Sequence, residues 1–171
     1  LFKQKYVWLF FLGIFCYVST EQGTSIFMST FLEQYHGVNP QTDGAQAVSY
    51  FWGLMTAGCL VGMLLLKLID SKRLLQISGV LTIVLLLSTL FGSKGIALIA
   101  FPAVGFSISM MYSIVFSLAL NSASQHHGSF AGILCSAIVG GAGGPMIVST
   151  IADATSLRTG MLFILVFVGY I

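Results

Sequence analysis

A chain of 171 residues that is 57% hydrophobic and only 7% charged, with a mean hydropathy of +0.97, cannot cover a water-soluble surface and reads as an integral membrane protein. The net charge of +2 comes from Lys and Arg scattered at the ends of apolar stretches, which excludes the basic patch that nucleic-acid binding requires. Cys16, Cys59 and Cys135 fall inside apolar stretches, where they act as small hydrophobes and carry no message about redox compartment.

Six hydrophobic stretches can be marked, at 6–34, 46–68, 74–92, 95–120, 130–152 and 160–171. The first five are long enough to cross about 30 Å of hydrocarbon at about 1.5 Å per residue. The sixth stops after about a dozen residues, below the ~17 that spanning needs, and the chain opens at Leu1 rather than at Met. The expectation is a fragment cut at both ends, with an all-helical, polytopic bundle as its fold. If the start is cytoplasmic, Lys3, Lys5, Lys67, Lys72 and Arg73 lie inside and only Lys94 and Arg158 outside, the sense expected of cytoplasmic loops. The segment 33–43, with His36, Gly37 and Pro40, is then external, and the loop around Gln125, His126 and His127 is cytoplasmic. No secretory leader is visible, because the first span is too long for one and lacks a cleavage site.

The first span carries the most informative residue. Glu21 lies midway along it in the sequence Tyr17-Val18-Ser19-Thr20-Glu21-Gln22-Gly23-Thr24-Ser25. An ionisable group near the bilayer centre costs about 2.5 to 3.5 kcal/mol on insertion scales, so it is kept where it faces a bundle interior or a water-filled path. Gly13, Tyr17, Glu21, Thr24 or Ser25, and Met28 share one helical face, and Val18, Gln22, Ser25 and Ser29 an adjoining one. Gly23 beside Gln22 predicts an interrupted helix at this point, with unwound backbone lining a cavity. The alternative is that Glu21 and Gln22 only hydrogen-bond neighbouring helices.

Farther along the chain, the second span carries Gly58 and Gly62, with Gly53 and Ala57 above them. Trp52, a turn or two below the outer end, is placed either to stack on a ligand or to sit in an interfacial aromatic belt. The fourth span aligns Gly105, Ser109, Tyr112 or Ser113, and Phe116. A hydroxyl, a phenol and a ring on one face suit a polar ligand with an apolar ring face, such as a pyranose. A hydroxyl bonded to its own helix for Ser109 and ordinary core packing for Phe116 are the alternatives. In the fifth span Gly128, Gly132, Ser136, Gly140 and Gly144 repeat every four residues, a smooth groove for a close neighbour, and Pro145 predicts a kink.

An intramembrane enzyme is one reading these residues could support. Glu21 with His126 and His127 supplies suitable residue types, but the His pair sits in a loop while Glu21 is at midplane, and no HExxH or paired-carboxylate motif is present. The expectation is that the chain is not an enzyme and needs no metal or organic cofactor. A non-transporting subunit or sensor, including a homodimer that rebuilds a twelve-helix bundle, remains a second alternative.

Several strings carry a family resemblance. Tyr17-Val18 followed by Glu21, GFSISMMYSIVFSLA at 105–119, and Ile138-Val139-Gly140-Gly141-Ala142 with Pro145 and Ala152-Asp153 resemble the second half of the fucose/glucose/galactose:proton symporters, a branch of the major facilitator superfamily. The resemblance runs from about Tyr6 to the end. It departs at Gly58-Cys59-Leu60-Val61-Gly62, where the family usually has an Arg between its glycines, and at Ile108 and Ser113, where it often has Asn and Pro.

The resemblance implies the C-terminal six-helix half of a twelve-helix transporter over residues 1–171, with its N-terminal half absent. It implies sugar bound at midplane between the halves and alternating access by rocking. The expected partners are a hexose-type sugar, the coupling proton, the lipid bilayer and the absent half; the expected location is a bacterial inner membrane. The candidate sugar-contacting residues are Glu21, Gln22, Tyr17, Tyr112, Ser109, Trp52 and Phe116. The resemblance implies that the carboxylates taking the coupling proton lie mainly in the absent half, so Glu21 is expected to contact sugar hydroxyls or to assist proton coupling, with sugar binding and protonation linked reciprocally.

Overall fold

The computed structural model describes residues 4–122 and 127–171. Lys3, Gln125 and His126, assigned above to the cytoplasmic side, lie outside the described residues, as does the side chain of His127. Helix follows helix throughout, with no strand among the described residues. Four helical runs among the described residues are long and apolar enough to cross a membrane: Pro40–Leu65, Ser71–Phe91, Lys94–Ser122 and Gly128–Ala154. The first stretch, expected to span at 6–34, is not among them, because Glu21, Gln22 and their polar neighbours lower its hydropathy. The all-helical, polytopic architecture expected from hydropathy is the one observed.

Helix α1 (Lys5–His36) runs 32 residues, about 48 Å at 1.5 Å per residue. It is continuous, so the interruption expected at Gly23 does not occur. The reason is packing. A Cβ at Gly23 would meet the Ile164 and Val148 side chains, so the glycine admits neighbouring helices rather than loosening its own. Helix α1 ends where Gly37 takes φ 60 and its N–H bonds the Glu33 carbonyl, a left-handed stop that favours glycine. Asn39 then accepts the Gln41 N–H at 2.9 Å, starting a wide turn, Pro40–Gly44, that feeds α2 (Ala45–Leu65).

Helix α3 (Ser71–Phe91) is capped by Asp70, whose carboxylate accepts the Lys72 N–H at 3.1 Å. The fourth span is two helices, α4 (Lys94–Ile108) and α5 (Met111–Ser122). The fifth is α6 (His127–Ser136) and α7 (Gly140–Ala154), separated by a 3-10 turn at Ala137–Val139. The sixth is α8 (Leu157–Leu162) and α9 (Ile164–Tyr170). Pro145 sits inside α7, and the interruption lies upstream of it at the 3-10 turn rather than at the proline.

Two glycine seams set the packing. Along α2 and α4–α5, a Cβ at Gly58 would overlap Ser109 and the Phe106 carbonyl, and one at Gly105 would overlap the Phe51 carbonyl. Along α1 and α7, a Cβ at Gly140 would overlap the Phe15 carbonyl, and one at Gly144 would overlap Ser19. The four-residue ladder of the fifth span is therefore used only in its second part. A Cβ at Gly132 would meet nothing within 4 Å, because the 3-10 turn shifts the register between Ser136 and Gly140.

Candidate functional site

The middle of α1 brings together five of the seven candidate residues with α5. Tyr17 is buried at 3% exposure, while Glu21 and Gln22 are half-buried. One helical turn separates Tyr17 from Glu21, and the phenol and carboxylate are hydrogen-bonding neighbours. The Gln22 amide donates to Glu21 Oε1 at 3.4 Å, a long contact. The Tyr17 ring lies 5.8 Å from that of Tyr112, tilted by 54°. Tyr112 in turn stacks on Phe116 at 5.7 Å and 22°, one turn farther along α5. The result is a row running from Phe116 through Tyr112 and Tyr17 to Glu21 and Gln22.

Ser109 and Trp52 stand apart from this row. Ser109 sits between α4 and α5, 6% exposed, and its hydroxyl donates to the Phe106 carbonyl at 2.8 Å. It terminates a helix and is pressed by Gly58. Trp52 is exposed, and its ring meets the buried Phe51 edge-on at 5.4 Å. Helical spacing puts Trp52 and Cys59 on one face of α2, two turns or about 10 Å apart.

Three residues outside the candidate set also matter here. The Cys59 thiol donates to the Ser109 carbonyl at 3.4 Å, giving a partner to a backbone group freed by the helix interruption. The signal was present in the departure from the family pattern, since Cys59 occupies the place between Gly58 and Gly62 where the family usually has Arg. Ser19 donates to the Gly140 carbonyl at 3.1 Å, tying α1 to α7 where they come closest. Thr24 is fully buried and its hydroxyl has no hydrogen-bond partner.

The chemistry available is hydrogen bonding to hydroxyls and stacking on a ring. A carboxylate and an amide side by side offer acceptors and donors spaced for adjacent hydroxyl groups, and the Tyr112–Phe116 pair offers an aromatic platform. Among the described residues no three His, Cys, Asp or Glu side chains gather in a way that would hold a metal ion.

No protein-family model matches the chain. Individual relatives do. A glucose/galactose transporter of Brucella abortus (strain 9-941) is 35% identical over 162 residues, which is 94% of this chain and 39% of the relative. A Helicobacter pylori protein (strain 26695), carrying the same name with a provisional qualifier, is 32% identical over 165 residues, 95% of this chain and 40% of the relative. The chain thus spans about two-fifths of the length of these curated relatives. Identity at this level, sustained along nearly the whole chain, makes it a homologue of the bacterial proteins named glucose/galactose transporters, in keeping with the resemblance its own strings carry.

Proposed function

We propose that the chain supplies the sugar-contacting face of a secondary transporter that moves a hexose together with a proton by alternating access. The observation that carries this reading is the row Phe116–Tyr112–Tyr17–Glu21–Gln22 at mid-length of α1, in a chain whose relatives are named for glucose and galactose transport. A pyranose has adjacent hydroxyls at its rim and C–H groups on its faces. Glu21 and Gln22 suit the first, and the exposed side of Tyr112 and Phe116 suits the second. Trp52 and Ser109, which stand apart from the row, have no part in this platform.

In this reading Glu21 also assists proton coupling. A half-buried carboxylate inside a membrane requires cover from lipid, and a second six-helix body set against this face supplies it, with sugar held between the two. The relatives are named transporters rather than enzymes, and the coupling ion alone is needed for function, with no metal or organic cofactor. The setting is the bacterial inner membrane, with Lys5 in the cytoplasm and the turn at Pro40–Gly44 outside. Cysteines placed at Lys5 and Gln41 test that orientation: an impermeant thiol reagent applied to whole cells labels only the second.

The decisive experiment is uptake of labelled glucose and galactose by cells lacking other hexose carriers. The parent protein is expected to accumulate sugar, and a protonophore to abolish accumulation. Glu21→Gln retains counterflow exchange but loses accumulation if Glu21 couples the proton, and loses both if it binds the sugar. Accumulation and affinity unchanged in Glu21→Gln would remove Glu21 from the mechanism.

A further inference from the structure

Tyr17 cannot contact a sugar as freely as its neighbours. At 3% exposure its ring is enclosed, with one side against Tyr112 at 5.8 Å and the Glu21 carboxylate one helical turn away, close enough to interact with its hydroxyl. Tyr112 and Phe116, stacked at 5.7 Å, are only partly buried and form the accessible surface. We propose that Tyr17 is a positioning residue that links the aromatic platform on α5 to the carboxylate on α1, so that occupancy of the platform and protonation of Glu21 are felt by each other. This rests on the transport reading above and deepens it.

The geometry gives the link its content. A ligand pressed on Tyr112 acts on a ring that touches Tyr17, and Tyr17 is stiff, because its backbone belongs to an unbroken helix and its side chain has two torsions. A small displacement of its phenol changes the hydrogen bond received by Glu21, and a carboxylate holds its proton according to the donors it is offered. The coupling is reciprocal: whatever protonation of Glu21 does to sugar affinity, sugar does to protonation.

The groups facing Glu21 are few. Tyr17 and the neutral Gln22 lie on its own helix, with Tyr112 on α5 and Cys59 on α2 within electrostatic range of Tyr17. Cys135 on α6 is within range of Tyr112. The helices α4, α7, α8 and α9 carry no ionisable residue at this level; Lys94, Asp153, Arg158 and Tyr170 lie toward their ends. Among the described residues, a pH dependence of sugar binding that arises at this level has Glu21 as its carboxylate and Tyr17 as the phenol beside it.

The test is sugar binding to the protein purified as its gene encodes it, followed by tryptophan fluorescence between pH 5 and 9, a range set at about two units either side of neutral to bracket a shifted carboxylate. Tyr17→Phe removes the hydroxyl and keeps the ring. It is expected to move the midpoint of the pH dependence by about half a unit or more, and to do nothing further when combined with Glu21→Gln, whose profile is flat. Superimposable profiles for Tyr17→Phe and parent would overturn the proposal, as would a shift that persists in the Glu21→Gln background. Tyr112→Phe is the second variant: it preserves the ring contact to Tyr17 and is expected to leave the midpoint in place, and a shift as large as that of Tyr17→Phe counts against a role confined to Tyr17. Absence of hexose binding by the parent protein is a different result, and it overturns the transport reading itself.

Discussion

The two sides of α1 use the same kinds of residue for opposite ends. On one side, Phe15, Ser19 and Gly23 meet α7 and α9 so closely that Gly140 and Gly144 have no room for a Cβ, and the Ser19 hydroxyl is consumed by the Gly140 carbonyl. Thr20 is consumed locally, donating to the Cys16 carbonyl at 2.9 Å. On the other side, Tyr17 and Glu21 meet their neighbours through side chains, and Glu21 keeps part of its surface open, while Gln22 lies at the border, with its side chain against Gly141 of α7. Polar residues inside a membrane are thus of two sorts within a single turn: those whose hydrogen bonds close the bundle, and those whose hydrogen bonds remain to be made.

Substitutions can break this contrast from either side. The largest effect is expected at the closed side. Gly140→Leu or Gly144→Leu forces a side chain into the Phe15 and Ser19 backbone and should destabilise by about 3 kcal/mol or more, read as a lowered thermal unfolding midpoint in detergent and a poor yield of monodisperse protein. At the open side, Tyr112→Ala removes the platform shared with Tyr17 and Phe116 and should weaken hexose binding by about 1 kcal/mol, a factor of about five, measured by fluorescence titration, with a smaller fall in the unfolding midpoint than at Gly140 or Gly144. Ser19→Ala removes one interhelical hydrogen bond and should cost about 0.6 kcal/mol in thermal stability, with sugar affinity unaffected. The smallest effect is expected at Gly132→Ala, where a Cβ meets nothing; stability should stay within about 0.5 kcal/mol of the parent. A large loss at Gly132 would show that the whole four-residue ladder of the fifth span is packed.

The sequence made the class of fold plain because hydrophobic stretches of about twenty residues have few other uses. It also pointed to Glu21, since an acid at that depth is costly whatever surrounds it. Continuity of helices was harder to read. Glycine beside polar residues signals loose backbone and close packing equally well, and at Gly23 the second applies because Ile164 and Val148 arrive from distant parts of the chain. The interruption at Ser109 has the converse problem. Its stability depends on a hydroxyl bonding back to Phe106 and on a thiol from another helix, and in the sequence Cys59 reads only as a small apolar residue. Tyr17, Tyr112 and Phe116 are each visible as aromatic positions; that they form a row could not be known before the crossing of α1 and α5 fixed their distances.

The unbroken course of α1 beside three divided spans has a consequence for backbone hydrogen exchange. Amides buried in a continuous helix exchange only through large openings, whereas helix ends release their protons through local fraying. Residues 109–110, 137–139 and 163 interrupt their spans and are flanked by the Phe15–Gly23 stretch through Tyr17–Tyr112, Phe15–Gly140 and Gly23–Ile164. In deuterated buffer these three islands should take up label at the depth where α1 stays protonated, and a bound hexose should slow the uptake at 109–110 first, because Tyr112 lies two residues farther along the chain.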